Sequence, residues 1–438
     1  MRHVLAVADT DSYLKWAAAT LAVMPPEWRS TIMVIENPAM PSPAQTASAT
    51  QTAVPVLDRR AILRRIRSEA PDAVLLACTG PVVAALADSQ ALRERSRPVL
   101  VTGLPGISVP ATARAVSLRR GCDLFVLHSH RERAEFAALC QAIAPHLRVG
   151  LATLPFLRSA AGRQDSDGRP RTELVFAAQA KVPPDRTDRE AILIALAAAG
   201  SAVVKLRAAD GEQQTHREAW PYPDLMADLV EQGRIKDGSI RFATGSMPDA
   251  LQSARGFVTV SSTAALEALA AGVPTLILSD FGVSAEMINI VFEGSGCVGT
   301  LADAAAGRFP RPNADWLAAD YFHPASNNDW LDELEQFLVV RTAGPLPRRP
   351  RATGSRRARA RRRIRLLLPA TLLRRYRAVA RWLAAARAAA PRGPGHTVPV
   401  RRHDRPGDRE PAGRADGSPA AHRPPQLASP PTPSARDH

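Results

Sequence analysis

The sequence has few lysines and few cysteines, and both shortages limit what the chain can be. Lysine occurs four times, although Lys and Arg together number 57, so nearly every basic residue is an arginine. The four cysteines show neither a CxxC pair nor the spacing of a zinc site. A disulfide framework or a metal centre is therefore not expected, and a reducing compartment fits better. The cysteines are Cys78, Cys122, Cys140 and Cys297.

Long apolar runs are also missing. No window of about 18 uncharged apolar residues occurs, so no transmembrane helix is expected. The first ten residues, MRHVLAVADT, hold an apolar run too short for a signal peptide. These features predict a cytoplasmic protein. With 438 residues and 45% hydrophobic content, the chain has room for two or three domains with substantial cores.

The formal net charge of +15 is unevenly distributed. Residues 341–402 contain 19 arginines and no Asp, Glu or Lys, whereas residues 403–438 are neutral. Residues 1–340 therefore carry a net charge of −4. A basic surface for an anionic partner is predicted only in the C-terminal segment.

Strand-like apolar runs alternate with helical stretches along residues 1–340. Such alternation is typical of parallel sheets that are covered by helices. It occurs twice, so we predict an α/β protein with two Rossmann-like doubly wound domains. The predicted strands are His3–Ala8, Thr31–Ile35, Ala73–Ala77, Val99–Thr102 and Leu124–Leu127 in the first half, and Glu173–Ala178, Ala202–Leu206, Ser239–Ala243, Gly256–Val260 and Thr275–Leu278 in the second.

Changes in composition predict the domain boundaries. Residues 158–172, RSAAGRQDSDGRPRT, have the polar content of a linker, and residues 37–55 are predicted to form a loop. An arginine-rich segment with interleaved Leu, Val, Tyr and Trp predicts an amphipathic helix after Pro369. The last residues, rich in Pro, Arg, Ser and Asp, are predicted to be disordered. The predicted units are 1–157, the linker 158–172, 173–344, the amphipathic segment 345–390 and the tail 391–438.

The most informative segment is FVTVSSTAALEALAAGVPTLILSD, residues 257–280. A strand leads through the hydroxyl residues Ser261, Ser262 and Thr263 into a helix of small residues. Such a turn presents free backbone N–H groups at the positive end of a helix, which favours an anion site. Glu267 follows one turn later on the same helix face. A phosphate site beside a carboxylate suits a ribose phosphate, and the alternative is an ordinary capped helix without a ligand.

The run SSTAALEALAAGVP resembles the donor-site segment of GT-B glycosyltransferases. Related forms occur in capsule polysaccharide transferases, in glycerophosphotransferases of the teichoic-acid type and in non-hydrolysing sugar-nucleotide 2-epimerases. The runs DTDSYLKW, TGLPG and SDFGVSAEMIN are also similar to an uncharacterised actinobacterial family of proposed glycosyltransferases. The resemblance covers roughly residues 1–340. It implies a GT-B fold, in which two Rossmann-like domains face each other across a cleft, here followed by a basic C-terminal tail.

The resemblance implies that the second half binds the donor. The turn at Ser261, Ser262 and Thr263 would then hold the donor pyrophosphate, and Glu267 would accept hydrogen bonds from ribose hydroxyls.

Basic residues at a strand end are further donor candidates. Lys205 and Arg207 follow an apolar strand, and the carboxyl ends of strands in open α/β sheets face the ligand. Positive charge there would stabilise a departing nucleoside diphosphate, although both residues could equally be surface charges. The other donor-binding candidates at strand ends are Gln179, Lys181, Asp280 and Ser284.

The loop after the first strand reads Asp9-Thr10-Asp11-Ser12. We reject a DxD metal site, because that motif does not follow a first strand and is weak when it stands alone. In a GT-B-like chain this loop faces the acceptor, whose hydroxyl needs a general base. Asp11 is the predicted base, followed by Asp9 and His128, while helix capping by Asp11 or Ser12 and a structural role for His128 remain alternatives. The acceptor-binding candidates are Ser12, Lys15, Trp16, Gly103 and Gly106.

These observations predict a metal-independent glycosyltransferase without a cofactor. It would move a sugar from a nucleotide-activated donor to a hydroxyl on a cell-envelope or capsule glycan or a lipid-linked acceptor. The apolar residues within the basic segment favour an anionic membrane surface over nucleic acid as its partner, so the protein would lie at the inner face of the membrane. A sugar-nucleotide 2-epimerase of the same fold and a non-catalytic nucleotide-sugar or membrane-binding scaffold remain alternatives.

Overall fold

The computed structural model describes residues 1–50, 52–157, 171–206 and 218–352, together with Ser355, Arg357 and Ala360. All of these residues belong to one compact unit, Met1–Arg381. Most of the predicted linker and amphipathic segment, and the whole tail from residue 391, lie outside the described residues. In the part of the chain that is described, no helix is both long and apolar enough to cross a membrane.

The first half is built on a seven-stranded parallel sheet with the order β3-β2-β1-β4-β5-β6-β7. The direction of strand addition reverses between β1 and β4, which makes the sheet doubly wound. Its central strands are completely buried runs of Val, Leu, Ala and Phe, because helices cover both faces. The strands are β1 (His3–Ala8), β2 (Arg29–Ile35), β3 (Val56–Leu57), β4 (Ala73–Ala77), β5 (Val99–Gly103), β6 (Leu124–Leu127) and β7 (Arg148–Leu151), and the helices are α1 (Asp11–Leu21), α2 (Pro43–Ala49), α3 (Arg59–Glu69), α4 (Gly80–Ala87), α5 (Ala113–Arg119) and α6 (His130–Ile143).

The second half repeats this plan with a six-stranded parallel sheet in the order β10-β9-β8-β11-β12-β13. The strands are β8 (Glu173–Ala177), β9 (Ala202–Lys205), β10 (Ile240–Ala243), β11 (Ala254–Thr259), β12 (Thr275–Leu278) and β13 (Val298–Gly299). The helices are α7 (Arg186–Ala199), α8 (Tyr222–Glu231), α9 (Met247–Gln252), α10 (Ala264–Ala270), α11 (Leu301–Ala305), α12 (Ala314–Ala319) and α13 (Trp330–Ala343), with short 3₁₀ helices at Ile290–Phe292 and Ala325–Asn327.

All ten predicted strands are present, and the prediction of two doubly wound α/β halves is confirmed. The edge strands β3, β7 and β13 were not predicted, because they are short and only partly apolar. The loop predicted at residues 37–55 is wrong in part, since it contains α2. A capping box starts this helix: the Ser42 hydroxyl accepts from Gln45 N at 3.2 Å, and Gln45 Oε1 accepts from Ser42 N at 2.9 Å.

The last helix, α13, packs against the core of the first half and not against that of the second. The predicted boundary at residue 344 assigns α13 to the second half, whereas its apolar residues Trp330, Leu334 and Leu338 are buried in the core of the first sheet. Asp329, which precedes α13, accepts a hydrogen bond from Leu151 N in β7 at 2.7 Å. The chain therefore crosses back after α12 and completes the first half.

The beginning of the predicted basic segment is folded onto the first half as well. Asp123 precedes β6 and is fully buried with Arg97, which contacts both carboxylate oxygens at 2.6 and 2.8 Å. Arg349 adds a third contact to Asp123 at 2.5 Å. Leu346 and Ala352 on either side are buried. Residues 346–352 thus pack at the edge where the strands of the first sheet begin.

We expect the Asp123 cluster to contribute strongly to stability. Asp123→Asn leaves two guanidinium groups near a neutral side chain, and breaking a buried pair in this way costs about 3–5 kcal/mol. The matched control is Arg241→Ala, which breaks the exposed pair with Glu173 and should cost about 1 kcal/mol or less. Urea unfolding followed by circular dichroism measures both, and equal losses would contradict the expected role of burial.

Candidate functional site

The predicted site residues lie where strands of the two sheets end. In doubly wound proteins, ligands bind at this edge of the sheet. The loop after β5 and the turn after β11 bring the two edges together, because a Cβ atom added to Gly106 would lie 2.8 Å from the Thr263 hydroxyl. Gly106 thus permits a close contact between the halves. Polar side chains of both halves therefore lie near one another around this junction.

The turn before α10 has fewer free backbone groups than its sequence predicts. Ser261 N donates to Gln179 Oε1 at 2.8 Å, and Ser262 N donates to a threonine hydroxyl at the end of β11 at 3.3 Å. Ala264 N donates to the Ser262 hydroxyl at 3.2 Å. Among the described residues, only the N–H of Thr263 within this turn has no acceptor. The expectation of several free amides is therefore wrong, and Gln179 acts by holding the turn.

Glu267 is the most unusual group at the junction. It lies on α10, is partly buried and has no hydrogen-bond partner among the described residues. Burial raises the pKa of its carboxyl group to about 7, although the positive charges of Lys15 and Lys205 act in the opposite direction. A carboxylate that loses hydration without gaining a partner is costly, so its position needs an explanation other than stability.

Two lysines from different halves act electrostatically on Glu267. Lys205 ends β9, is 6% exposed and donates to the carbonyl oxygens of Gly245 at 2.7 Å and Leu206 at 3.1 Å. Burial, and next the charge of Lys15, lower the pKa of Lys205. Lys15 lies on α1 of the first half and is exposed. Lys15, predicted on the acceptor side, therefore acts electrostatically on the donor-side residues, whereas Arg207 lies outside the described residues.

Asp11 is the first residue of α1 and faces the same region. Its Oδ2 contacts Lys15 Nζ at 2.9 Å, and its Oδ1 is buried without a hydrogen-bond partner among the described residues. The capping residue is Thr10, whose side chain makes no capping bond, so the capping alternative for Asp11 does not apply. Ser12 follows on α1 and is partly buried.

Asp9 does not reach the surface, which corrects its assignment as a possible base. It is 1% exposed, and its Oδ2 accepts hydrogen bonds from Thr79 N at 2.9 Å and from the Thr79 hydroxyl at 2.5 Å. Burial raises its pKa to about 6. Asp9 therefore holds the start of α4 beneath the site.

His128 and Trp16 are core residues, which favours a structural role for both over the predicted roles in catalysis and acceptor binding. His128 Nε2 accepts from Trp16 Nε1 at 2.8 Å, and His128 Nδ1 contacts the carbonyl oxygen of Ala152 at 2.9 Å. Both side chains are fully buried, and burial lowers the pKa of His128 to about 4. Gly103 also serves this packing, because a Cβ atom there would lie 2.3 Å from the Trp16 ring.

The remaining donor candidates lie at other strand ends of the second sheet. Asp280 is exposed after β12, and its Oδ2 accepts from Leu301 N at 2.8 Å, at the start of α11. Ser284 N donates to Asn289 Oδ1 at 2.9 Å, which holds the same loop. Lys181 is exposed after β8. None of these three contacts Glu267 in the structure.

The sequence prediction missed Glu132, a fully buried residue of α6 that joins three segments. Its carboxylate accepts from Ser108 N at 2.8 Å, from His128 N at 3.0 Å and from the Tyr321 hydroxyl at 2.5 Å. Burial raises its pKa to about 7. Its spacing from Ser129 predicts a capping box, and Ser129 does cap α6 through Glu132 N. The contacts with Ser108 and Tyr321 are distant in sequence and leave no local signal.

Within the described ranges, no group of three or more His, Cys, Asp or Glu side chains is arranged to hold a metal ion.

We expect Glu267 to lower the stability of the fold at neutral and alkaline pH. Its folded pKa of about 7 exceeds the usual 4.5, so the folded state keeps a proton that the unfolded state loses, and stability falls as pH rises from about 4.5 to about 7. Glu267→Gln should therefore raise the free energy of unfolding at pH 8 by roughly 1–3 kcal/mol and leave it nearly unchanged at pH 4.

Denaturant titrations at both pH values measure this effect. The control is Glu293→Gln, an exposed glutamate, whose effect should stay within about 0.5 kcal/mol at either pH. A loss of stability in Glu267→Gln at pH 8 would show that the carboxylate has a structural partner.

Solved structures with a similar fold exist. The S. aureus MnaA–UDP co-structure has a TM-score of 0.50 and 12% identity over 81% of this chain and 100% of that chain. The UDP-GlcNAc 2-epimerase from Neisseria meningitidis bound to UDP-GlcNAc has a TM-score of 0.46 and 12% identity over 70% and 90%. The lipopolysaccharide outer core galactosyltransferase WaaB in its apo form has a TM-score of 0.43 and 11% identity over 77% and 99%. No curated protein matches the sequence.

The predicted GT-B fold is confirmed by the two doubly wound sheets and by the likeness to solved structures of this architecture. The family model described as "Putative glycosyltransferase (DUF6716)" matches residues 4–337, which is most of the chain. This protein therefore belongs to the DUF6716 family of putative glycosyltransferases.

Proposed function

We propose that this protein transfers a sugar from a nucleotide-activated donor to a hydroxyl acceptor. The observation that carries the proposal is Glu267, a partly buried carboxylate that has no hydrogen-bond partner among the described residues and is within electrostatic reach of lysines of both halves. A nucleoside diphosphate offers ribose hydroxyls that can donate to Glu267 and phosphate oxygens that can accept from the lysines. A ligand of this type would supply the missing hydrogen bonds.

The comparisons suggest which nucleotide to test first. UDP is present in the similar S. aureus structure, and UDP-GlcNAc is present in the similar Neisseria structure. Uridine diphosphate sugars are therefore the first candidates for the donor. The family description supports transfer as the reaction.

In this proposal, Lys205 and Lys15 stabilise the negative charge that develops on the departing diphosphate. The free N–H of Thr263 would donate to a phosphate oxygen. Arg207, two residues beyond Lys205 in the chain, is proposed to add to the same charge. Because these groups neutralise the diphosphate, the proposal includes neither a metal ion nor a cofactor. Asp280, Ser284 and Lys181 are proposed to contact the donor when the site is occupied.

Asp11 is the proposed general base. Its carboxylate lies on the first half, and its side chain is 28% exposed. A base must be able to accept a proton from the attacking hydroxyl, and Asp9 and His128 are too buried for this. Ser12 and the Gly106 loop are proposed to contact the acceptor.

The acceptor is proposed to be a cell-envelope or capsule glycan or a lipid-linked sugar. The arginine-rich residues after 345 would attach the protein to the cytoplasmic face of an anionic membrane, where such acceptors occur. The docking of residues 346–352 supports this idea, because it fixes the root of the basic segment on the half that would bind the acceptor.

Donor binding can be tested by calorimetry with UDP. Glu267→Gln should weaken binding roughly tenfold, because a charged acceptor of ribose hydrogen bonds becomes neutral. Lys205→Met should weaken it by a similar factor through the lost phosphate contact. Because Glu267→Gln is expected to retain its fold, an unchanged affinity in both variants would refute this donor site.

Asp11→Asn is the matched variant on the opposite half. It should not weaken UDP binding, because loss of the Asp11 charge leaves Lys15 free to act on the diphosphate, and it should lower the transfer rate at least roughly 100-fold. Product analysis with several nucleotide sugars separates the alternatives. Isomerisation without an acceptor would indicate an epimerase, and binding without turnover would indicate a scaffold.

Membrane association can be tested with vesicles that contain roughly 30% phosphatidylserine, because anionic lipids attract polybasic segments. The full-length chain should sediment with them at low salt, and a chain ending at residue 352 should not, because it keeps the docked segment and loses the arginines beyond it. Neutral vesicles are the control. Equal sedimentation of the two chains would contradict a role for the basic segment.

A further inference from the structure

Ile288, in the loop after β12, combines two features that are unusual for isoleucine. Its φ angle is +59°, in the left-handed region, where a β-branched side chain is strained. Its side chain is 40% exposed although it is large and apolar. Among the described residues other than glycine, Ala70 and Ser201 also have positive φ angles, and neither is large and apolar. A glycine at this position would fit the backbone better.

The surrounding loop holds Ile288 in this conformation. The Ser261 hydroxyl donates to the Ile288 carbonyl oxygen at 2.5 Å. The next residue, Asn289, is fully buried, donates to the Gly282 carbonyl oxygen at 3.0 Å and accepts from Ser284 N at 2.9 Å. Strain persists only where neighbouring contacts impose it, and such positions cluster at ligand sites. These bonds fix the Ile288 backbone and leave its side chain partly open to solvent.

Ile288 lies beside the junction between the halves. Ser261, which binds its carbonyl group, is two residues before Thr263, the residue that meets Gly106 of the first half. Lys205 ends β9, which is separated from β12 by three strand spacings, about 14 Å. A donor whose diphosphate contacts Lys205 would therefore reach Ile288 with a different part of the molecule.

We propose that Ile288 contacts the glycosyl group of the donor and contributes to the choice of sugar. This inference rests on the proposed function, in which the transferred group must lie where the two halves meet. A sugar ring has apolar C–H faces between its hydroxyl groups, and an aliphatic side chain on a fixed backbone complements such a face. The nucleotide is common to many donors, so a residue that contacts only the sugar acts on specificity.

The test compares UDP, UDP-glucose, UDP-galactose and UDP-GlcNAc by calorimetry on the wild type and on Ile288→Gly. The UDP sugars that bind the wild type should lose roughly tenfold in affinity, as expected when an apolar contact in a pocket is removed. The affinity for UDP should change by less than about twofold, since UDP carries no sugar to lose this contact. The melting temperature should stay equal or rise, because glycine adopts positive φ without strain. Ile288→Val keeps the branched shape and should retain the affinity for UDP sugars.

Ala70→Gly is the matched control. Ala70 has a φ angle of +43° at the end of α3, is exposed and lies on the first half, so this variant relieves backbone strain without touching the loop. All affinities should remain at the wild-type values. Equal losses for UDP and UDP sugars in Ile288→Gly, or no loss for either, would refute the sugar contact while leaving the proposed function intact. A wild type that binds none of these ligands would refute uridine diphosphate sugars as its donors, and this inference with them.

Discussion

Parallel pairing of every strand is the constraint on which the rest of this structure depends. In both sheets all strands run in one direction, so every carboxyl end lies at the same edge. Polar residues that are far apart in sequence, such as Lys205 and Glu267, are brought near one another for this reason. At the opposite edge of the first sheet, Asp123 pairs with Arg97 and Arg349 and so holds residues 346–352 against the first half. The carboxyl ends of the strands therefore carry the candidate binding residues, and the amino ends of the first sheet hold residues 346–352.

The sequence predicts the strands of the sheets well, but it predicts less well which polar side chains are buried. Buried parallel strands are continuous apolar runs, and such runs are visible without knowledge of their neighbours. Whether a polar residue after a strand points into the core depends on contacts with distant segments. Asp9 is covered because Thr79 of another loop binds it, and His128 is covered because α1 places Trp16 against it. The position of Glu267 beside the turn is visible in the sequence, because it lies one helical turn after Thr263.

Long-range packing also explains the errors at the domain boundary. The apolar face of α13 would suit either half, and its sequence does not say which core it completes. The polar linker marks where the chain first leaves the first half, whereas the return after α12 has no comparable composition. The arginines at 348 and 349 resemble those that follow, although only Arg349 finds the buried carboxylate of Asp123. Charge composition therefore did not reveal that the first residues of the basic segment fold against the first half.

The buried carboxylate of Glu132 has a mechanical consequence. It binds Ser108, in the loop that also carries Gly106, and Tyr321, in the segment through which the chain returns to the first half. The loop that touches Thr263 and the returning segment are thereby tied to one point on α6. Any change in the spacing of the halves must either move these two segments as a single rigid piece or break a hydrogen bond to a group that has no access to water. The connection between the halves is therefore restrained on this side, and a rotation that keeps both hydrogen bonds would pivot about Glu132.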